Sequence, residues 1–271
     1  MEHDQERIAW HPAFREIMRA ELDGYQDIIE FHDEYPLTTE PLRMDMLIIK
    51  KLKDVVIEKN IARIFLEHNI IEYKSPEDSL SIEDFFKAAS YACLYAALEK
   101  IRTRGITLTF IQTGHPRGFL NFLGSEMGCA FEPLGEGIHM THSLWMPMQI
   151  IESDKLDETE NLWLKNLSKR LDSDRIAYFM GLARSKDMKA FLSTILRANP
   201  TSLREVERTM PTTFREVMEE IGLADFFRQQ GEQTGKLEAA IAMLKDHLTQ
   251  EQVARYTGLP LAEIQALQAG S

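Results

Sequence analysis

The hydrophobic pattern of the first fifty residues predicts one helix followed by extended segments. Apolar side chains from Phe14 to Leu22 recur at intervals near 3.6 residues, which predicts a helix over residues 12–23 that Gly24 can end. The segment from Ile28 to Leu37 has an extended pattern. A helix packed beside strands is therefore expected at the start of the chain.

Two short apolar runs then contain charged residues where a buried strand should have none. The run of residues 42–49 is interrupted by Asp45, and the run of residues 69–74 carries Glu72 and Lys74. Both runs are rich in isoleucine and leucine, which predicts buried strands. A charge placed inside such a strand is costly unless it is paired or has a function.

The following segments continue an alternation of helix and strand. Ser81 and Asp84 have the spacing of a capping box and begin a helix predicted to end near Arg102. A β-branched run predicts a strand over residues 106–113, and glycines in the middle of residues 131–142 predict a hairpin. The predicted fold class is α/β, with helix, three strands, helix and strand in that order and a mixed sheet flanked by helices.

The pattern changes after Pro147 to an all-helical one. Helices are predicted around residues 160–171, 174–183, 187–198, 201–209 and 212–229. A last helical unit has a capping box at Thr249 and Gln252 and a turn at Gly258. The predicted domains are a core over residues 1–150, a helical extension over residues 151–231 and a small helical unit over residues 232–271.

Composition excludes several classes of protein. No apolar run approaches the roughly 18 residues of a membrane span, so a soluble, cytoplasmic protein without a membrane partner is expected. Two cysteines are too few for a disulfide framework and are interpreted as small buried residues. The net charge of −12 argues against non-specific coating of nucleic acid. The acid excess lies mostly in residues 1–42, and bound divalent cations can offset it.

The charged strand residues predict a hydrolytic metal site. Side chains two apart on a strand share a face, so Glu72 and Lys74 project together. If Asp45 lies on the neighbouring strand, two carboxylates and an ammonium group meet. Carboxylate oxygens suit Mg²⁺ or Mn²⁺, which polarises a phosphate and lowers the pKa of a bound water. A charged strand edge or an internal salt-bridge network is the structural alternative.

The same residues carry a resemblance to a known family. The chain resembles the PD-(D/E)XK nuclease superfamily, in particular its putative transposase or recombination-promoting nuclease type, over roughly residues 10–150. The resemblance is carried by four segments of the sequence, which are Glu40-Pro41-Leu42-Arg43-Met44-Asp45, His68-Asn69-Ile70-Ile71-Glu72-Tyr73-Lys74-Ser75-Pro76, Asp84-Phe85-Phe86-Lys87 and Tyr91-Ala92-Cys93-Leu94-Tyr95. The literal Pro-Asp of the family name is absent, because Met44 precedes Asp45.

The resemblance implies a restriction-endonuclease-like αβββαβ core and a metal-dependent DNA endonuclease, with a place in recombination or mobile-element biology. Asp45, Glu72 and Lys74 would be the catalytic residues. The superfamily often adds a glutamate from the first helix as a further metal ligand, and Glu21 is favoured over Glu16 and Glu30. From the next helix, Lys87 and Tyr91 share a face and would contact the substrate.

Other polar groups point to different functions. His115, His139 and His142 lack the partners of a zinc site and are interpreted as unrelated histidines in and near the hairpin. The tail resembles a helix-turn-helix, but its second helix lacks basic residues. We expect the tail to be a packing or homo-oligomerisation element. The alternative function for the whole chain is a non-catalytic interaction protein that retains the nuclease fold.

Overall fold

The computed structural model describes residues 8–34, 44–50, 52, 55–186 and 188–269. Within it the chain divides into two compact units, Met1–Val206 and Glu207–Ser271. These boundaries differ from the predicted ones at residues 150 and 231. Among the described residues no helix has the length and apolar character needed to cross a membrane.

The first unit is built on a seven-stranded mixed sheet, with strand order β1-β2-β3-β4-β7-β6-β5. Its strands are β1 (Ile29–Asp33), β2 (Met46–Lys50), β3 (His68–Tyr73), β4 (Ile106–Gln112), β5 (Glu132–Gly135), β6 (Ile138–Thr141) and β7 (Met148–Glu152). Strands β3, β4 and β7 run parallel to one another, and the remaining pairs are antiparallel. The expected α/β class with a mixed sheet is confirmed.

The first half of this unit has the predicted order of elements. Helix α1 (Trp10–Glu21) precedes β1, β2 and β3, and helix α2 (Ile82–Glu99) connects β3 to its parallel neighbour β4. Only five residues of the extended segment predicted over 28–37 form β1, and residues 35–43 lie outside the described residues. The hydrophobic pattern therefore identified each element and misjudged some of its ends.

The two faces of the sheet are covered by different helices. Helix α2 and helix α3 (Arg117–Ser125) pack on the face that carries Ile70, Phe110 and Ile150. On the other face, the ring of Phe14 from α1 stacks on that of Tyr73 with centroids 4.2 Å apart. Alternation along β3 thus sends Tyr73 toward α1 and Glu72 toward α2.

Helix α2 begins with the predicted capping box. The Ser81 hydroxyl accepts the backbone N–H of Asp84, and the Asp84 carboxylate accepts the backbone N–H of Ser81, so the capping box is confirmed. The helix ends at Glu99, three residues earlier than predicted, because Lys100 adopts the left-handed conformation. Cys129 is buried as predicted, but Cys93 on α2 is exposed, so that prediction was wrong for one of the two cysteines.

Two elements, a helix and a strand, were not predicted from the hydrophobic pattern. The two glycines and the proline of residues 114–118 indicate a turn, whereas α3 begins within them at Arg117. Strand β7 was not predicted at all, because a five-residue run after Pro147 is too short to show a period. It is fully buried and pairs with β4, so the sheet extends beyond the predicted end of the core at residue 150.

Helices that follow the sheet belong to the same unit as α1. They are α4 (Leu162–Lys165), α5 (Ser173–Ser185), α6 (Lys189–Ala198) and α7 (Pro200–Thr209), the last of which spans the unit boundary. Helix α1 packs against α4 and α6. The segment predicted as a separate extension is therefore partly fused to the sheet domain.

The second unit is helical. Its helices are α8 (Pro211–Glu220), α9 (Ala224–Lys245), α10 (Gln250–Thr257) and α11 (Leu261–Ala269). Gly222, with a φ of +73°, separates α8 from α9 where a single helix over 212–229 was predicted. The capping box at Thr249 is confirmed. The apolar residues of the expected packing or homo-oligomerisation element pack on one another inside the unit, among them Leu244, Leu248, Val253, Leu259, Ile264 and Leu267.

Candidate active site

The candidate site is centred on Glu72, in the middle of the sheet. Strand β3 has neighbours on both sides, and Glu72 is only 4% exposed although it is charged in water. Its side chain shares a face with Ile70, below α2. The preceding Ile70 and Ile71 predicted this burial, which the structure confirms.

Asp45 lies near Glu72. It immediately precedes β2, whose first residue, Met46, pairs with Ile71 of β3. The Oδ2 atom of Asp45 accepts the backbone N–H of Tyr73 at 2.9 Å. The negative charge of Asp45 raises the pKa of Glu72, so the two carboxylates interact, and a cation shared between them stays a prediction.

Two lysines stand beside the carboxylates. Lys74 Nζ lies 3.7 Å from Glu72 Oε1, and Lys87 Nζ, from α2, lies 3.4 Å from the same oxygen. Lys74 also contacts Asp84 Oδ1 at 2.6 Å, which ties it to the first turn of α2. Burial alone would raise the pKa of Asp84, but hydrogen bonds from Lys74 and Ser81 lower it below its ordinary value. Asp84 therefore remains ionised and holds Lys74 in place.

The pKa of Glu72 is raised to about 7. Burial is the largest cause, the charge of Asp45 adds to it, and Lys87 and Lys74 oppose it. Burial lowers the pKa of Lys87, but the negative charge of Glu72 outweighs this and raises it overall. The two lysines thus compensate the carboxylate pair only in part.

Lys87 and Tyr91 share a face of α2 and border this group. Lys87 Nζ lies 5.5 Å from the centre of the Tyr91 ring, while its own side chain is 43% exposed. Tyr91 is 8% exposed. The prediction that Lys87 and Tyr91 share a face of α2 is confirmed, and their role with a substrate stays a prediction.

The glutamates of the first helix lie elsewhere. Glu21 Oε1 accepts the backbone N–H groups of Trp163 and Leu164, and its Oε2 contacts Lys59 at 2.6 Å. Glu16 accepts N–H groups at the start of α6 in the same way. Glu30 is exposed and contacts His32. Both helix glutamates thus cap the N-termini of other helices, where carboxylates are favourable.

The residue that α1 does contribute is His11, which sequence reasoning did not identify. His11 Nδ1 lies 3.7 Å from Asp45 Oδ1, and its half-exposed ring meets Tyr73 edge-on. Only the packing of α1 across β3 brings His11 there, and neither residue pattern nor spacing carries that information. The packing depends on Phe14, one turn further along, which stacks on Tyr73.

The donor set fits a hard cation bound by few protein ligands. In the described part of the chain no group of three or more His, Cys, Asp or Glu side chains is arranged to hold a metal ion. Asp45 and Glu72 supply two carboxylates with incompletely compensated charge. Magnesium is commonly bound by one or two carboxylates, with water and substrate phosphates as the other ligands.

Comparison with known proteins gives no assignment of function, so the geometry around Glu72 is the basis for one. The chain matches no protein-family model, no curated protein and no solved structure. The α/β fold and the arrangement around Glu72 are direct observations. What the arrangement does is therefore argued from its chemistry.

Proposed function

We propose that this protein is a metal-dependent nuclease that hydrolyses phosphodiester bonds of DNA, with Asp45, Glu72 and Lys74 as its catalytic residues. The proposal rests above all on one observation, the buried carboxylate of Glu72 with the charge of Asp45 close to it and Lys74 Nζ within 3.7 Å. The order of α1, β1, β2, β3, α2 and β4 supports it, because it is the order expected of a restriction-endonuclease-like core.

The proposed cofactor is Mg²⁺ or Mn²⁺, held by Asp45 and Glu72. Such a cation supplies a Lewis acid for the phosphate and lowers the pKa of a bound water. It would also remove the repulsion between the two carboxylates that helps to raise the pKa of Glu72. Its charge offsets part of the net −12 of the chain when a polyanionic substrate approaches.

Each side chain has a defined task in this proposal. Lys74 is held in place by Asp84. In this proposal it orients the attacking water next to Glu72 and stabilises the negative charge that develops on that water. Lys87 is more exposed and reaches the same carboxylate, so it is placed to contact a substrate phosphate. The ring of Tyr91 contacts the Lys87 ammonium group in a cation–π interaction and helps to hold that side chain in position.

A second candidate is a non-catalytic interaction protein that retains this fold. The observation in its favour is that Lys74 Nζ lies closer to Asp84, at 2.6 Å, than to Glu72, at 3.7 Å. In that case the charges would form an internal network that stabilises the sheet. The overall acidity of the chain is in keeping with this alternative.

Cleavage and metal binding measured together separate the two candidates. The wild-type protein should cut duplex DNA with Mg²⁺ or Mn²⁺ and lose activity with a chelator. Lys74→Ala should retain the fold and bind metal in calorimetry while losing most turnover, whereas Asp45→Ala should lose both. Glu83→Gln, an exposed neighbour at the start of α2, is the matched control. Wild-type cleavage by the Asp45→Ala protein would exclude the mechanism.

The tail gives a further proposal about partners. We expect the second unit to contribute to self-association, through exposed Tyr256 and Leu261 and not through the apolar residues of its own core. Removing residues 210–271 leaves α7 whole and lies close to the unit boundary at Val206, whereas a cut at residue 232 would divide α9. Sedimentation should show a lower mass for the truncated protein, and DNA titrations should keep the same salt dependence. An unchanged mass with a reduced salt dependence would favour DNA binding by the tail.

A further inference from the structure

A second cluster of titratable side chains surrounds Glu152 at the end of β7. His115 Nδ1 lies 2.8 Å and His139 Nε2 lies 3.0 Å from the same oxygen, Glu152 Oε1. Lys155 Nζ pairs with Oε2. These four residues are called the Glu152 cluster below. Two of the three histidines interpreted as unrelated therefore meet on one carboxylate, and that interpretation was wrong for them.

The carboxylate of this cluster is ionised and orients both imidazoles. Glu152 is fully buried, which would raise its pKa, but hydrogen bonds from Lys155 and His115 outweigh burial and lower it. Because Oε1 is an acceptor, the facing nitrogen of each ring carries the hydrogen atom. The other nitrogens, Nε2 of His115 and Nδ1 of His139, point away from Glu152. Both side chains are partly exposed, at 46% and 31%.

The Glu152 cluster lies on the same edge and face of the sheet as the candidate active site. Phe110 pairs with Glu72 and with Ile150, and two residues further on Glu152 pairs with Gln112. The backbone of Lys74 continues the ladder to Ile111, which brings Lys74 level with Gln112. Lys74 and Glu152 are thus two strand spacings apart, about 10 Å at about 4.8 Å each.

This edge is where an open sheet with parallel strands commonly binds ligands, at the carboxyl ends of those strands. The residue between the two sites is Gln112, which is buried and hydrogen-bonded to two loops. Gln112 accepts the N–H of Leu80 and donates to the carbonyl of Gly114, so it links the loop before α2 to the loop before α3. The polar side chains of Lys74, Gln112 and Glu152 therefore follow one another along this edge, from the candidate active site to the histidines.

We propose that the Glu152 cluster is a phosphate-binding subsite for the nucleic acid strand on which Asp45, Glu72 and Lys74 act. The proposal rests on the proposed nuclease function and extends it to the path of the substrate. A polyanion that contacts Lys74 can reach the histidines within about 10 Å, so the strand crosses the sheet from β3 over β4 to β7.

The charges around the cluster favour an anion when both imidazoles are protonated. Lys155 offsets the charge of Glu152, and the two imidazolium groups together outweigh the charge of Asp154, whose carboxylate accepts the backbone N–H of Gly114. A protonated His115 or His139 keeps its hydrogen bond to Glu152 and presents a second N–H outward. The buried carboxylate thus acts as a positioning group that holds two donors toward a phosphate.

Binding measurements on a cleavage-deficient protein test this subsite. In a Lys74→Ala background with Mg²⁺ present, the added changes His115→Gln and His139→Gln should weaken binding of a fluorescent DNA duplex about tenfold, or about 1.4 kcal/mol. The salt dependence of binding should fall by about one phosphate contact per histidine. Glutamine can still donate to Glu152. His142→Gln, an exposed histidine just after the hairpin, is the matched control and should bind like the parent.

Imidazole resonances give a readout that does not depend on cleavage. Addition of the duplex should shift the ring signals of His115 and His139 but not that of His142. If wild-type protein cleaves DNA and the double variant binds it with unchanged affinity and salt dependence, the subsite is overturned while the nuclease proposal stands. If no DNA is cleaved under any condition and the double variant still loses affinity, the subsite stands and the hydrolytic function fails.

Discussion

Two glutamates on one edge of the sheet show how neighbours decide what a buried carboxylate can do. Glu72 and Glu152 lie at the carboxyl ends of β3 and β7, the two parallel strands on either side of β4. Both point to the same face of the sheet, and both are at most 4% exposed. Glu72 faces Asp45 and has lysine nitrogens no closer than 3.4 Å, and its pKa rises to about 7. Glu152 receives two imidazoles and Lys155, and its pKa falls.

The difference separates the carboxylate proposed as catalytic from the one proposed as a positioning group. Burial disfavours the charged form of both residues, so the net effect depends on the hydrogen bonds and charges that compensate it. Around Glu152 the compensation is provided by the protein itself. Around Glu72 it is incomplete, and a divalent cation can complete it. This contrast is why the first group is proposed as the catalytic site and the second as a phosphate subsite.

The largest expected effect concerns turnover in two isosteric variants. Glu72→Gln should reduce kcat for DNA cleavage at least about a thousandfold, because one of two cation ligands loses its charge. Glu152→Gln should change kcat by less than about tenfold, since its partners contact the substrate outside the reacting centre. Steady-state kinetics with Mg²⁺ measures both. A larger loss of kcat in Glu152→Gln than in Glu72→Gln would reverse the roles assigned here.

The second effect concerns stability, where a loss is expected for one residue and not for the other. Glu152→Gln should lower the free energy of unfolding by on the order of 3 kcal/mol, because Lys155 and the two partly exposed histidines lose a charged acceptor. Glu72→Gln should not destabilise the metal-free protein at neutral pH, since it removes repulsion with Asp45. Denaturant unfolding with a chelator present compares them, with Glu83→Gln as control.

The first of these two sites was predictable from sequence, and the second was not. Asp45, Glu72 and Lys74 stand out because charges interrupt apolar strands, and strand periodicity then places Glu72 and Lys74 on one face. Glu152 lies in a five-residue strand that no pattern revealed. Its partners are 37 and 13 residues away in sequence, so only the pairing of β4, β6 and β7 joins them.

The side chain that α1 places beside Asp45 could not be predicted from sequence either. Glu21 has the residue type that the family resemblance favours, but its carboxylate caps α4, which is more than 140 residues away. His11 takes the place beside Asp45 because Phe14 stacks on Tyr73 and sets how α1 crosses the sheet. Helix existence follows from periodicity, whereas the rotation and position of the helix depend on tertiary packing.

A third prediction follows from the raised pKa of Glu72. Its folded pKa of about 7 exceeds the ordinary value of 4.5, so the folded state binds the proton more tightly. The associated stability is present below about pH 4.5 and is lost as pH rises toward 7, by about 3 kcal/mol. Unfolding of the metal-free protein over this range should show the loss in the wild type and not in Glu72→Gln. An unchanged pH profile in that variant would mean that another group is responsible.

The smallest expected effect concerns Lys87, which lowers the pKa of Glu72 and is half exposed toward solvent. Lys87→Met keeps most of the packing on Tyr91 but removes the charge, so the pKa of Glu72 should rise further. If Lys87 also contacts a phosphate, KM for DNA should increase about tenfold and the salt dependence of binding should fall by about one contact. Lys169→Met, an exposed lysine elsewhere in the first unit, is the control. Carboxyl NMR of Glu72 together with DNA titrations at two salt concentrations measures both effects. A shifted pKa with unchanged KM would assign Lys87 to Glu72 alone and remove it from the substrate path.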